Sequence, residues 1–119
     1  MPKPPEFACQ FEFTPDNRAV VIALFGRLDA EAVAELHPQV QEVYGAGVRR
    51  FVFDLSALEY AGSLGLRLLV GLQNQVKGEG RVAVCNPNDA VRGALEMTRL
   101  TQVLPIHASR DEALEATRK

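Results

Sequence analysis

Ser63 is the residue of this sequence whose hydroxyl could carry a regulatory modification. It lies in the segment Gly62-Ser63-Leu64-Gly65, where a helix is expected to begin. The free backbone N–H groups and the dipole at the start of a helix favour an added phosphate, and the added charge would alter any apolar contact nearby. A serine at this position is also an ordinary helix cap. The residues alone therefore leave open both a phosphorylation site and a cap.

The side chains that catalysis requires are not grouped in this sequence. His37 and His107 belong to different predicted elements and have no serine, cysteine or carboxylate cluster at the spacing of a catalytic triad. The segment 62–65 lacks the lysine of a phosphate-binding loop. Cys9 and Cys85 lack CxxC spacing and have no nearby histidine. They therefore do not indicate a disulfide framework or a metal site. We therefore predict a binding protein without a cofactor and not an enzyme.

The helix that follows Ser63 is expected to run to about Lys77. At about 100° per residue, its residues separate into two sides. The side expected to face the core contains Gly65, Leu68, Leu69, Leu72 and Val76. The side expected to be exposed contains Ser63, Leu66, Arg67, Val70 and Asn74. Exposed Leu66 and Val70 next to a serine are typical of a surface that binds another protein, although single surface leucines are common.

The rest of the chain alternates strands with helices. Strands are predicted over 9–14, 19–25, 51–55, 82–85 and 103–106. Capping side chains precede three further helices, at Asp29, at Asn88 and, as a capping box with Glu112, at Ser109. Pro38 predicts a kink or a break near His37 in the first helix. This order predicts an α/β fold with a mixed, mostly parallel sheet, an N-terminal β-hairpin and about four helices.

Length and charge restrict the class of protein further. The 119 residues fit one domain over 1–119, with a flexible start over 1–6. A net charge of −2 with interspersed signs does not favour nucleic acid as a partner. No segment approaches the roughly 20 apolar residues that span a bilayer, and the start does not resemble a signal peptide. We therefore expect a cytoplasmic protein without direct membrane insertion.

Three segments together resemble a known family. They are Gly26-Arg27-Leu28-Asp29 after a buried strand, Phe53-Asp54-Leu55-Ser56 at the end of the next, and Ala61-Gly62-Ser63-Leu64-Gly65-Leu66 at the start of a helix. In order and spacing they resemble the STAS domain of bacterial anti-sigma factor antagonists. The resemblance continues through 80–86, 100–106 and 111–114, so that it covers nearly the whole chain.

The resemblance implies a function for Ser63. In such antagonists the first serine of an Asp-Ser-Ser/Thr-Gly motif is phosphorylated by an anti-sigma factor that is also a serine kinase, and a PP2C-type phosphatase removes the phosphate. The unphosphorylated antagonist binds the anti-sigma factor and frees the sigma factor. Here Gly62 stands where the motif has aspartate, and Leu64 where it has the second hydroxyl residue. The loop with Asp29 is placed near the serine in this family, which adds Asp29 to the implied partner-binding residues.

Two other functions are compatible with the sequence. Similar domains pack on the ATPase subunits of lipid-trafficking transporters, so the chain could be a soluble accessory subunit of such a transporter. A small nucleotide-binding enzyme is the third hypothesis, and it lacks a visible phosphate loop. The proteins that are recovered with the domain from cells would separate the first two.

Overall fold

The structure is a computed structural model that describes residues 6–118. Its strands are β1 (Phe7–Phe13), β2 (Ala19–Leu28), β3 (Arg50–Ala61), β4 (Arg81–Cys85) and β5 (Ile106–His107). Its α-helices are α1 (Ala30–Gly45), α2 (Ser63–Val76), α3 (Asp89–Met97) and α4 (Arg110–Ala116), with a 3₁₀ turn at Leu100–Gln102. The predicted order of strands and helices is confirmed. Residues 1–5 of the segment expected to be flexible lie outside the described residues.

The five strands form one sheet in the order β1-β2-β3-β4-β5. The first pair, β1 and β2, is antiparallel, and the other pairs are parallel. Helices α1, α2 and α3 contribute to the large core on one face of the sheet, whereas Ala113 of α4 packs on the other face with Val21, Val52 and Ala83. The prediction of a mixed, mostly parallel sheet with an N-terminal hairpin is therefore confirmed.

The central strands are buried on both faces because helices cover both. In β3 the segment from Phe51 to Leu55 is buried without interruption, as its apolar sequence predicted. Leu68, Leu69 and Leu72 of α2 are buried in the core on that sheet. The predicted packing of α2 on the strand is therefore confirmed.

The three predicted helix caps are present. The side chains of Asp29, Asn88 and Ser109 accept hydrogen bonds from backbone N–H groups of their helices. The capping box is modified, because the Glu112 carboxylate accepts from the backbone N–H of Ala108 instead of that of Ser109. Local sequence chemistry therefore determines where these helices begin.

Several predicted features of the elements differ in the structure, among them β3, which was predicted over 51–55 and extends to Ala61. Helix α1 continues through Pro38, which is exposed, so of the kink or break expected near His37 the break is wrong. Strand β2 continues beyond Phe25 because Gly26 adopts a φ of +87° at an irregularity in the pairing with β3. The last strand was predicted over 103–106 but is Ile106–His107. Leu104 is buried, as a strand residue would be, but it lies in the preceding loop.

Asp54 of β3 anchors α4 to the back of the sheet. Its Oδ2 atom accepts a hydrogen bond of 2.6 Å from Nε of Arg110, and its Oδ1 accepts one of 3.0 Å from the backbone N–H of Ser56. Arg110 also contacts Glu12 of β1 at 3.2 Å. Burial raises the pKa of the Asp54 carboxyl, but the hydrogen bonds from Arg110 and Ser56 outweigh it and hold the pKa below its usual range.

This ion pair predicts a pH-dependent stability. The pKa of Asp54 is lowered on folding from about 3.9, so its carboxylate stabilises the fold fully above that value and less as the pH falls through the folded-state pKa. We expect Asp54→Asn to lower the free energy of unfolding by about 1–3 kcal/mol at neutral pH and to flatten its decline in acid. Urea unfolding across the acid range would measure this. The exposed Glu96→Gln is the control, and the same acid decline in Asp54→Asn as in wild type would contradict the assignment.

Candidate functional site

Ser63 lies at the carboxyl end of β3, as the first residue of α2. Gly62 precedes it in an extended conformation and is the N-cap residue of the helix. The backbone N–H of Gly62 donates to the carbonyl of Leu28 at 3.1 Å, which fixes the start of α2 against the end of β2. The Ser63 side chain is exposed, and no side chain caps α2. Ser63 is therefore not the helix cap, and its hydroxyl is presented to solvent.

Gly65 sets how closely the first turn of α2 approaches the sheet. A Cβ atom at this position would lie 2.7 Å from Cγ and Cδ2 of Leu28 and 2.9 Å from its carbonyl oxygen. Real side chains do not tolerate such contacts, so only glycine permits this packing. Gly65 thereby allows the first turn of α2, which begins with Ser63, to pack closely against the end of β2.

An apolar groove begins at Ser63. It has a volume of about 520 Å³ and lies between α2 and the end of α3; we call it the α2–α3 groove. It is lined by Tyr60, Ala61, Gly62, Ser63, Leu66, Arg67, Val70, Ala94, Met97, Thr98 and Leu100. Met97 is 88 % exposed and Tyr60 is 42 % exposed, which is unusual for such large apolar side chains in one place. The groove can therefore receive apolar groups of a partner.

The predicted docking residues are distributed differently from expectation. Leu66 is 6 % exposed, so the expectation of an exposed Leu66 is wrong. Val70 is half-buried, whereas Ser63 and Arg67 are exposed. The reason is that Leu66 belongs to the same core as Val91 and Leu95 of α3, so the buried side of α2 is wider than the stripe that faces the sheet. Leu66 and Val70 form the floor of the α2–α3 groove instead of a protruding face.

Asp29 and Asn74 lie outside the α2–α3 groove. Asp29 caps α1 by accepting the backbone N–H of Ala32 at 3.0 Å. It follows Leu28, whose carbonyl binds Gly62, so it lies close to the start of α2. Asn74 is exposed one turn beyond Val70. Their part in partner binding stays a prediction.

Three exposed residues near Ser63 were not predicted from the sequence. Tyr60 and Arg27 are register partners on β3 and β2, and Cζ of Arg27 lies 4.3 Å from the centre of the Tyr60 ring. Met97 lies at the end of α3, off the face that carries Val91 and Leu95. This position could have been recognised from the sequence, because an apolar residue off the core face of a short helix is expected to be exposed. Nothing in the sequence indicated the stack of Arg27 on Tyr60.

Other potentially reactive groups do not form a site. Cys85 is buried, and burial raises the pKa of its thiol to about 12, as expected for a core cysteine. His37 is exposed in a separate groove between α1 and α2. Within residues 6–118, no three His, Cys, Asp or Glu residues are grouped to hold a metal ion. No helix in that range is long and apolar enough to cross a bilayer.

A comparison with protein families identifies the fold. The profile of the STAS domain matches residues 10–113. The chain belongs to the STAS domain family. This confirms the resemblance found in the segments around Asp29, Asp54 and Ser63.

Several of the individual proteins that the chain resembles are described as anti-sigma factor antagonists. The chain is 29 % identical over 109 residues to an anti-sigma F factor antagonist of Paenibacillus polymyxa, across 88 % of this chain and 92 % of that protein. The crystal structure of an anti-sigma factor antagonist from Mycobacterium paratuberculosis matches with a TM-score of 0.84 and 26 % identity, across 95 % of both chains. The Bacillus cell fate determinant SpoIIAA in its phosphorylated form matches with a TM-score of 0.71 and 25 % identity, across 92 % of this chain and 98 % of that one.

Proposed function

We propose that this STAS domain is a cytoplasmic, non-enzymatic anti-sigma factor antagonist controlled by phosphorylation. In its unphosphorylated form it binds an anti-sigma factor serine kinase through the α2–α3 groove. The kinase phosphorylates Ser63, which releases the domain, and a PP2C-type phosphatase restores the binding form. The observation that carries this proposal is the exposed Ser63 hydroxyl at the rim of an apolar groove.

The groove has the composition of a protein-binding surface. Leu66 and Val70 form an apolar floor, and Met97 supplies a flexible side chain that adapts to a partner. Arg67 is exposed at the rim, where a cation contributes to specificity more than to affinity. The arrangement of an apolar centre with a polar rim supports docking of a folded partner.

The phosphorylation step is supported by the position of Ser63 and by the family. One matching structure is described as the phosphorylated form of SpoIIAA. Incubation of the domain with its anti-sigma factor kinase and ATP, followed by mass-spectrometric mapping, tests the step directly. Phosphate on Ser63, absent from a Ser63→Ala variant, is the expected result. An active kinase that leaves Ser63 unmodified would exclude the switch.

The identity of the partner has a separate test. The domain is used to capture proteins from its own cells, and the captured proteins are identified by mass spectrometry. We expect an anti-sigma factor with an ATP-binding kinase domain. Recovery of transporter subunits in its place would overturn the proposal in favour of an accessory role on a membrane transporter.

Met97→Asp tests the groove itself. Met97 is 88 % exposed, so the substitution should leave the free energy of unfolding within about 0.5 kcal/mol of wild type. A carboxylate in the desolvated centre of the interface should weaken partner binding at least about tenfold. Calorimetric titration with the anti-sigma factor measures the effect. Phe13→Asp is the matched control, because Phe13 is 45 % exposed on β1, at the far edge of the sheet. Equal affinities for the two variants would place the interface elsewhere.

A further inference from the structure

Arg27 and Tyr60 form a stacked pair beside Ser63. The guanidinium carbon of Arg27 lies 4.3 Å from the centre of the Tyr60 ring, and the two residues are neighbours in the pairing of β2 with β3. The hydroxyl end of the ring lies against Gly62, since a Cβ atom there would be 3.0 Å from the Tyr60 oxygen. Gly62 directly precedes Ser63. The pair therefore adjoins the modified residue of the proposed switch.

The absence of a side chain at Gly62 leaves room for the Tyr60 ring. A Cβ atom would also lie 3.3 Å from Cε2 of Tyr60, so a larger residue would require the ring to shift by a few tenths of an ångström. The ring in turn supports the guanidinium by a cation–π contact. An arginine held on an aromatic face has lost part of its conformational freedom before a ligand arrives, so less is lost when its N–H groups bind one.

We propose that Arg27, held on the Tyr60 ring, binds the phosphate group of phosphorylated Ser63. The inference rests on the proposed phosphorylation of Ser63 and adds the group that receives the phosphate. Guanidinium and phosphate form paired, charge-assisted hydrogen bonds. The Tyr60 hydroxyl, next to Gly62, supplies a further donor.

Two other charged residues lie near Ser63 and differ from Arg27. Arg67 is one helical turn beyond Ser63 and lines the same groove, but it is exposed and has no aromatic support among the described residues. Asp29 lies beside the start of α2 and repels a phosphate, which increases the need for a cation. The pre-positioned cation is therefore Arg27, and Arg67 provides the internal comparison.

The test uses the full chain with phosphoserine incorporated at position 63 during translation, which needs no kinase. A phosphoserine titrates with a second pKa of about 6, and a nearby cation lowers that value. Phosphorus NMR across the pH range gives the titration midpoint. We expect the midpoint of the wild-type background to lie about half a pH unit below that of Arg27→Gln. Arg27→Lys keeps the charge without the planar fork and should fall between them.

Two further variants make the assignment specific. Tyr60→Leu keeps Arg27 but removes the ring that supports it. We expect it to raise the titration midpoint, by less than Arg27→Gln does. Arg67→Gln, with equal loss of charge, should raise the midpoint less than Arg27→Gln does. Equal midpoints for wild type and Arg27→Gln, or a larger shift in Arg67→Gln, would overturn the inference. Failure of a kinase to modify Ser63 would instead count against the proposed function, so the two failures are distinguishable.

Discussion

Phosphate on Ser63 is expected to weaken binding of the anti-sigma factor at least about 30-fold, equivalent to about 2 kcal/mol. The phosphate adds about −1.5 to −2 charges at neutral pH. It would stand at the rim of the apolar α2–α3 groove, where docking would remove water from it. One guanidinium neutralises only part of this charge, so desolvation of the phosphate stays costly and the complex is destabilised more than the free domain.

The fold itself should tolerate the same modification. Ser63 is exposed at the first position of α2, where the helix dipole favours a negative charge. Calorimetric titration of both forms gives the affinities, and thermal unfolding gives the stability. Ser63→Ala, which retains the groove, is the control and should bind like the unphosphorylated protein. Equal affinity of the two forms would show that the groove is a constitutive docking surface, and a large loss of stability would show that the effect is not at the interface.

Leu69→Ala is expected to lower the free energy of unfolding by about 2–5 kcal/mol. Leu69 is 1 % exposed and lies in the core formed with β3. The truncation removes buried apolar surface and leaves a cavity that the neighbouring strands fill only in part.

Leu64→Ala provides the control on the same helix. Leu64 is 44 % exposed, and its truncation should cost less than about 1 kcal/mol. Urea unfolding of both variants measures the difference. If Leu69→Ala were no more destabilising than Leu64→Ala, the packing of α2 on the sheet would be wrong.

The features that could be predicted from sequence are those determined by neighbouring residues. Asp29 and Asn88 cap their helices because a short polar side chain can reach backbone N–H groups two or three residues ahead. The unbroken apolar segment from Phe51 to Leu55 identified a strand that is covered on both faces. In each case the information lies within a few residues of sequence.

The errors arise where distant elements decide the outcome. Leu66 was expected to be exposed because one apolar side suffices to cover a sheet, but it is buried in the core that also contains Val91 and Leu95 of α3. Strand β3 was predicted to end at Leu55 but extends to Ala61. Its second half has two exposed residues for each buried one, a pattern that is typical of neither a regular strand nor a helix. Pro38 is tolerated because it is exposed, so the carbonyl it leaves unpaired, that of Ala34, is at the solvent side of α1.

The candidate site was predicted in part for the same reason. Ser63 belongs to a continuous segment and could be found from its neighbours. Met97 completes the α2–α3 groove from α3, and only the tertiary fold places it on the same groove as Ser63. Tyr60 lies three residues before Ser63, in the part of β3 that was not predicted as strand. The stack of Arg27 on Tyr60 depends on the register of β2 with β3, which the sequence pattern does not specify.

The order of the strands in the sheet is also their order along the chain, and this has a consequence for synthesis on the ribosome. Each strand that emerges finds its neighbour already made, so the sheet can grow from its N-terminal edge without waiting for a distant segment. The α2–α3 groove is complete once Leu100 has emerged. Helix α4 comes last, and Arg110 then reaches Asp54, 56 positions earlier in the chain. A nascent chain would therefore present the α2–α3 groove before the opposite face of its sheet is covered.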